Sequence, residues 1–267
     1  MKFSICTPVV FTKDDEDNKR QPRYELFIRC MNSVLTQTFE DFEWVIVDDK
    51  CQPMVEELIP KDKRIKVIRL VEKGGRLVAR NLAMENASGE WITWLDGDDE
   101  YSSVYLEAMN KASLIYPDYK MFNMNHLIFG YDYTVNIRKF INMDDIGEHP
   151  FGSGTVGAGS FIFKRELFEQ IGKIPELGLW QLSEWAMDYY PEVQPFFWNE
   201  QKQAYNSLGN PWGEDWLYFY MLTRKNKCKY LDTALYFVHS HYGHRFKEDP
   251  DYSFGEEAGP IWRTNVR

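Results

Sequence analysis

Long apolar runs are missing from this 267-residue chain. Nowhere do about 18 apolar residues follow one another, so no hydrophobic transmembrane helix is expected. No basic stretch followed by a long apolar one opens the sequence, and a cleaved leader is not expected either. Cysteine is sparse: Cys6, Cys30, Cys51 and Cys228 are the full set. None stands in a C-x-x-C or other zinc spacing. Cys6 and Cys30 lie in apolar-periodic segments and read as small core residues. The chain therefore reads as reduced and cytoplasmic, free or peripheral to a membrane. Positive charge is also in deficit, with 31 Lys and Arg against 41 Asp and Glu and a formal net charge of −10. Nonspecific nucleic-acid binding and attraction to an anionic membrane both need a net positive face, so neither is expected as the main partner. The first strand-like run is followed by Thr-Pro-Val-Val and not by a G-x-G-x-x-G turn, and no G-x-x-x-x-G-K-[ST] loop occurs, so acids and a metal would have to handle any nucleotide's phosphates.

What is present is a globular composition, 44% hydrophobic and 27% charged, with a high aromatic content of 16%. Strand and helix signals alternate four times in the first hundred residues. Lys2–Val10, Phe42–Val47, Ile65–Leu70 and the run from Trp91 read as strands. Tyr24–Phe39 and Arg76–Asn86 show helix spacing, and Pro53–Ile59 reads as a short helix. Such alternation implies an α/β fold with a mostly parallel sheet and right-handed crossovers. Beyond it lie a helix over Val104–Tyr116, a hairpin within Lys120–Ile141, a strand over Gly157–Phe163 and a helix over Lys164–Gly172. An irregular aromatic segment, Pro175–Pro211, is followed by an aromatic helix over Gly213–Lys225 and a last strand over Tyr230–His239. No internal repeat or linker is visible, so one domain is expected over 1–267.

One stretch organises the rest: Glu90-Trp91-Ile92-Thr93-Trp94-Leu95-Asp96-Gly97-Asp98-Asp99. It is a buried-strand run that stops in three carboxylates. In open α/β sheets ligands bind just beyond the carboxyl ends of strands. Three acids so close repel unless a cation sits among them. Hard oxygen ligands suit Mg²⁺ or Mn²⁺ bound together with substrate phosphates. The competing reading is a solvated turn, since Asp-Gly is a common turn dipeptide. A calcium loop starting at Asp96 fails, because position six is Tyr101 where that loop needs Gly. A second acidic strand end, Asp48-Asp49, closes the run Phe42–Val47.

Several passages together resemble the family-2 glycosyltransferases of the GT-A fold. They are Ser4–Pro8, Ser33–Glu43 (SVLTQTFEDFE), Val47-Asp48-Asp49, Ala79-Arg80-Asn81, Ala87-Ser88-Gly89-Glu90, Leu95–Asp99 as a D-x-D region, and Gly213-Glu214-Asp215. The likeness is dense from residue 3 to about 115, sparse over 150–240 and absent in the tail. It implies a mostly parallel central sheet flanked by helices, a small antiparallel β part and a C-terminal acceptor-side region. Residues 1–118 would form the nucleotide-sugar-binding half, 119–246 the acceptor and catalytic half, and 247–267 a tail.

The resemblance also implies roles. Asp49, with Thr7 and Pro8 beside it, would bind the donor's base. Arg80 would lie near the nucleotide or diphosphate, and Asp96 with Gly97 near ribose or metal. Asp98 would hold Mn²⁺ or Mg²⁺, with one histidine of His239, His241 and His244, His241 favoured. Asp99 would support the turn. Asp215 would be the catalytic base for an acceptor hydroxyl on a glycan, lipid or other saccharide, attacking a nucleotide-diphospho-sugar, a UDP-sugar favoured. Helix-dipole preference alone also accounts for an acid at Asp215, and surface exposure for the histidines. Two departures stand out: a long polar loop at 11–23, expected as a lid, and Val9 where the family often has an aromatic ring. The aromatics from Trp180 to Trp216 read mostly as core, with a few facing the acceptor. A nucleotidyltransferase, a non-catalytic nucleotide-sugar-binding module and transfer to a modified nucleic-acid base are the alternative functions.

Overall fold

Strands whose every residue is buried do not alternate in sequence, because helices cover both faces of the sheet. Such are β1 (Phe3–Val9), β2 (Phe42–Asp48) and β4 (Trp91–Trp94). The structure is a computed structural model that describes residues 1–12, 23–129, 135–138, 158–177, 185–186, 188–190, 198–199, 204–205 and 214–239. The remaining strands are β3 (Ile65–Arg69), β5 (Glu100–Tyr101), β6 (Met121–Phe129), β7 (Val135–Arg138), β8 (Phe161–Lys164), β9 (Trp198–Asn199), β10 (Ala204–Tyr205) and β11 (Cys228–His239). The helices are α1 (Arg23–Leu35), α2 (Gly75–Glu85), α3 (Tyr105–Ile115), α4 (Arg165–Ile171) and α5 (Glu214–Thr223). Two compact units divide the chain: Met1–Glu176 with Glu214–Tyr242, and Leu177–Gly213 with Gly243–Arg267.

The first unit is built on one sheet in the order β3-β2-β1-β4-β8-β6-β11-β5, with β7 paired to β6. β3, β2, β1 and β4 are parallel; β8 is antiparallel to both β4 and β6, and β11 runs parallel to β6. β1, β2, β4, β6 and β11 therefore all end at the same edge. This is the mostly parallel α/β sheet that the sequence pattern implies, with the small antiparallel part that the family resemblance implies. Thr93 and Trp94 are consecutive, so they mark opposite faces. On the Thr93 face lie α3, whose Tyr105 hydroxyl meets Thr93 Oγ1 at 2.8 Å, and α1, whose Phe27 stacks on Trp44 at 6.2 Å. On the Trp94 face lie α2, which brings the Arg80 guanidinium 4.5 Å from the Trp94 ring, and α5, which stacks Tyr218 on that ring at 5.2 Å.

Several boundaries differ from the sequence reading: the short helix of Pro53–Ile59 is a 3-10 turn at Val55–Glu57, and the strand of Gly157–Phe163 is a 3-10 turn at Ala158–Ser160 followed by β8. α1 ends at Leu35, not Phe39, because Gln37 caps it. Its Nε2 donates to the carbonyls of Ser33 and Ser102, and its Oε1 accepts from Leu106 N at the start of α3. These bonds satisfy helix-end groups that have no partner within their own helices. β11 starts earlier, at Cys228, because it pairs with β6 along its whole length. All four cysteines are buried and free, as a reduced core requires. In the second unit the described residues form the hairpin β9–β10 and an aromatic group in which Trp185 stacks on Tyr189 at 4.7 Å. The 11–23 loop is described only at residues 11, 12 and 23.

Glu43 ties the amino edge together. Its Oε1 accepts from Ser4 Oγ at 2.6 Å, Ser88 N at 2.5 Å, Ser88 Oγ at 2.8 Å and Gly89 N at 3.2 Å. Gly89 is required there, since a Cβ would lie 2.6 Å from the Phe3 carbonyl carbon. Burial pushes the Glu43 carboxyl up, but the Ser4, Ser88 and Gly89 bonds outweigh it and hold it below the usual range. Glu43→Ala leaves those donors without their acceptor and should cost about 3 kcal/mol in urea unfolding at neutral pH. A depressed folded pKa means that the ionic part of this stabilisation is complete above about pH 4.3. It is lost as pH falls through the lower folded value, so the gap between wild type and variant should narrow in acid.

Candidate active site

The chain moves outward from β1 to β2 to β3, then returns through α2 to β4 on the other side of β1. This reversal is a switch point, and ligands bind in the crevice it opens at the carboxyl ends of the strands. The acidic stretch emerges there. Leu95 N still bonds the Cys6 carbonyl at 3.1 Å, and the chain then turns, with Asp99 N donating to the Asp96 carbonyl at 3.0 Å. Gly97 packs over the end of β1, where a Cβ would meet Val9 Cγ2 at 3.2 Å and the Pro8 carbonyl at 3.4 Å. Carboxylate oxygens of Asp96, Asp98 and Asp99 come within 4.8 Å of one another.

Each carboxylate has different surroundings. Asp96 pairs with Arg80, whose side chain is buried against Trp94. Asp99 is buried and accepts from the Tyr236 hydroxyl and, at 3.0 Å, from His239 N. Burial, then the neighbouring Asp98 and Asp96, push the Asp99 carboxyl well above the usual carboxylate range. The next residue, Glu100, meets His239 Nε2 at 2.6 Å. That bond to His239 holds the Glu100 carboxyl below its ordinary value. The His239 ring also stacks on Phe129 at 5.3 Å. Asp99 and Glu100 thus bind the acidic turn to the end of β11. The two-residue strand β5 carries the same link, pairing Glu100 with Phe237. No sequence signal marked β5, because two residues show no period.

Asp49 lies past the end of β2, buried, and its two oxygens accept from Gly74 N at 2.7 Å and Gly75 N at 2.9 Å. It caps α2, which has no side-chain cap of its own, and so orients the helix that carries Arg80. Gly75 has φ 79°, a conformation that favours glycine. Asp48 is structural, accepting from Cys51 N, Val55 N and Arg69 Nη1. Thr7 faces the α1 side, fully buried, and its Oγ1 accepts from Trp44 Nε1 at 2.8 Å. Pro8, on the opposite face of β1, neighbours Gly97.

Asp215 sits in the first turn of α5. Asp215 precedes by one turn the residue Tyr218, which stacks on Trp94, the last residue of β4. Tyr218 and Phe219, one turn on, anchor α5 to Trp94 and Phe161. His239 is engaged by Glu100, and His241 and His244 lie outside the described residues. So do Trp180, Phe196, Phe197 and the side chains of Trp198 and Trp216.

A sheet of this order, with acidic groups gathered at its switch point, is an open α/β fold of the kind that takes its ligands at the strand ends. Residues 20–172, more than half the chain, match the family model Glycosyl transferase family 2, and the chain belongs to that family of glycosyltransferases. Among curated relatives, glycosyltransferase GlyA of Streptococcus pneumoniae is 27% identical over 217 residues, covering 71% of this chain and 30% of GlyA. The putative teichuronic acid biosynthesis glycosyltransferase TuaG of Bacillus subtilis is 37% identical over 81 residues, 29% of this chain and 32% of TuaG. Glycosyltransferase GlyG of S. pneumoniae is 26% identical over 163 residues, and the match spans 54% of each chain. The match thus spans well under two thirds of each relative. S. aureus TarS, solved in complex with UDP-GlcNAc, superposes with a TM-score of 0.57 at 18% identity, covering 93% of this chain and 61% of that one. The shared fold is GT-A.

The link between Asp99 and β11 is measurable. Asp99→Ala leaves a buried hydroxyl and a backbone N–H without their acceptor, and should cost about 2–4 kcal/mol in denaturant unfolding. Tyr236→Phe should cost about 1–2 kcal/mol, and the double variant should fall short of additivity by about 1 kcal/mol or more. Strict additivity would show that the two side chains do not interact.

Proposed function

We propose that this chain is a metal-dependent inverting glycosyltransferase that moves a sugar from a nucleotide-diphospho-sugar, a UDP-sugar favoured, to an acceptor hydroxyl. One observation carries the reading: Asp96, Asp98 and Asp99 converge at the switch point of a GT-A sheet, their oxygens within 4.8 Å. The donor set fits Mn²⁺ or Mg²⁺, which take carboxylate oxygens together with substrate phosphates. Burial first, and then the neighbouring Asp98 and Asp96, raise the Asp99 carboxyl, and a cation would relieve the second of these causes. Asp98 would hold the ion, with Asp96 beside it. Bound there, the ion supplies Lewis-acid stabilisation of the departing diphosphate. The complex of TarS with UDP-GlcNAc favours a uridine donor for this fold.

The protein's own groups supply the rest. Arg80, held by Trp94 and paired with Asp96, keeps positive charge beside the diphosphate position. Asp49 holds the start of α2 at the place expected for the base. Asp215 accepts the acceptor's proton as the hydroxyl attacks. A carboxylate on a helix separate from the acidic turn suits attack from the face opposite the leaving group, and a single displacement inverts the anomeric centre. The acceptor hydroxyl would belong to a glycan, lipid or other saccharide.

Thermal unfolding with nucleotide diphosphates, with and without Mn²⁺, tests the donor half. UDP with Mn²⁺ should raise Tm, Mn²⁺ omission should abolish the shift, and Asp98→Ala should lose it. A shift with UDP that ignores Mn²⁺ would remove the metal from the proposal. Asp215→Asn should keep the shift but lower the transfer rate by about 10²–10⁴-fold. Transfer at the wild-type rate would show that another group is the base.

A further inference from the structure

The edge of the sheet opposite the acidic cleft carries a different surface. β6 and β11 are neighbours and run parallel, so the turns that precede them, 116–120 and 224–227, lie side by side at the amino edge. α3 reaches this edge from one face of the sheet and α5 from the other. α3 buries Tyr105, Leu106, Met109 and Ala112 as its core stripe. Leu114 and Ile115 fall off that stripe and stand 70% and 66% exposed, with exposed Tyr116 and Pro117 following. Three large apolar residues in a row at a helix end are an unusual outward surface for a chain of net charge −10.

Their neighbours are basic. The turn into β11 reads Arg224-Lys225-Asn226-Lys227-Cys228-Lys229. Arg224, Lys225 and Lys227 are exposed. Lys229 Nζ lies 5.3 Å from the Tyr116 ring and 5.7 Å from the Tyr119 ring, which joins the basic turn to the apolar tip. The acids at this edge are Asp118 in the turn itself, Glu166, paired with Lys120 at 3.0 Å, and Glu90, 2.9 Å from Lys2 Nζ and 4.0 Å from Lys164 Nζ. The negative charge gathered at Asp96–Asp99 is at the far edge.

We propose that this end is a docking surface for an anionic lipid bilayer, with Leu114 and Ile115 entering the headgroup boundary and the basic turn 224–229 facing the lipid charge. The pairing of an apolar tip with clustered lysines decides for lipid over a protein partner. Apolar insertion and attraction to anionic headgroups are the two terms that together make peripheral binding strong enough to matter. Tyr116, with an apolar ring and a polar end, suits the interface level between them. The net negative charge of the chain does not oppose this, because charges beyond a Debye length are screened and the local surface decides. β6 spans nine residues between the two edges, so the cleft would be held roughly 30 Å from the lipid surface. If the cleft transfers sugar as proposed above, the acceptor group would be one displayed well out from the membrane; the docking itself does not rest on that reading.

Co-sedimentation of the full chain with vesicles tests it without any donor or acceptor. Binding is expected to vesicles of phosphatidylcholine mixed with phosphatidylglycerol, to weaken with added salt, and to be absent from phosphatidylcholine alone. Lys225→Glu with Lys227→Glu should weaken it at least about 25-fold, about fivefold for each lysine removed. Leu114→Ser with Ile115→Ser should weaken it at least about tenfold while leaving the salt dependence in place. All four positions are exposed, so thermal unfolding of both variants should match wild type. No binding to the mixed vesicles, or binding that both variants retain, overturns the proposal. So does a wild-type dimer in solution that Leu114→Ser with Ile115→Ser converts to monomer, which would make the patch a contact between copies.

Discussion

Crowded negative charge at the end of β4 is the constraint on which the rest of this structure depends. Three carboxylates whose oxygens lie within 4.8 Å are an unfavourable assembly in a folded chain. The fold answers each separately. Asp96 has Arg80, and Asp99 has the Tyr236 hydroxyl and the His239 amide. These partners come from α2, 16 positions before Asp96, and from β11, 137 positions after Asp99. The acidic turn is therefore where the early and late parts of the chain are joined.

That junction extends inward as well as across. Arg80 reaches Asp96 only because Trp94 supports its guanidinium, and the Trp94 ring is also the platform for Tyr218 of α5. The helix that carries Asp215 is thus seated on the same ring as the partner of Asp96. Asp49 acts one step further back by capping α2 through Gly74 and Gly75. A group expected to read the donor is, in this state, also a group that sets where Arg80 stands. Arg80 and the helix that carries Asp215 therefore share a support, which couples their positions through packing.

The family match ends at residue 172 and the denser resemblance ends earlier, near 115, yet the structural superposition on TarS covers 93% of the chain. Sheet order and strand ends are set by burial, which many sequences satisfy. The acidic turn needs particular atoms and is satisfied by few. This is why the first hundred residues were legible as alternating strands and helices and why Asp96–Asp99 stood out, whereas β5 did not. The roles of Asp48 and Asp49 were not separable in sequence. One anchors the turn to Cys51, Val55 and Arg69 and the other caps a helix 25 positions away, and only the folded chain tells them apart.

By itself the sequence determined the class of fold, the place of the acidic turn just past a buried strand, and the family. Each of these rests on local pattern: apolar periodicity, strand length, and residue types in a row. Tertiary structure decided that Asp96 pairs with Arg80 and that Asp99 is buried against Tyr236 and His239, because the last two arrive from 137 and 140 positions away. It also decided that Thr7 turns away toward Trp44, since the face a strand residue takes follows from the pleat and from what packs on it. And it decided that Leu114 and Ile115 stand beside the basic turn 224–229. No pattern in the chain places those segments together; the parallel pairing of β6 with β11 does.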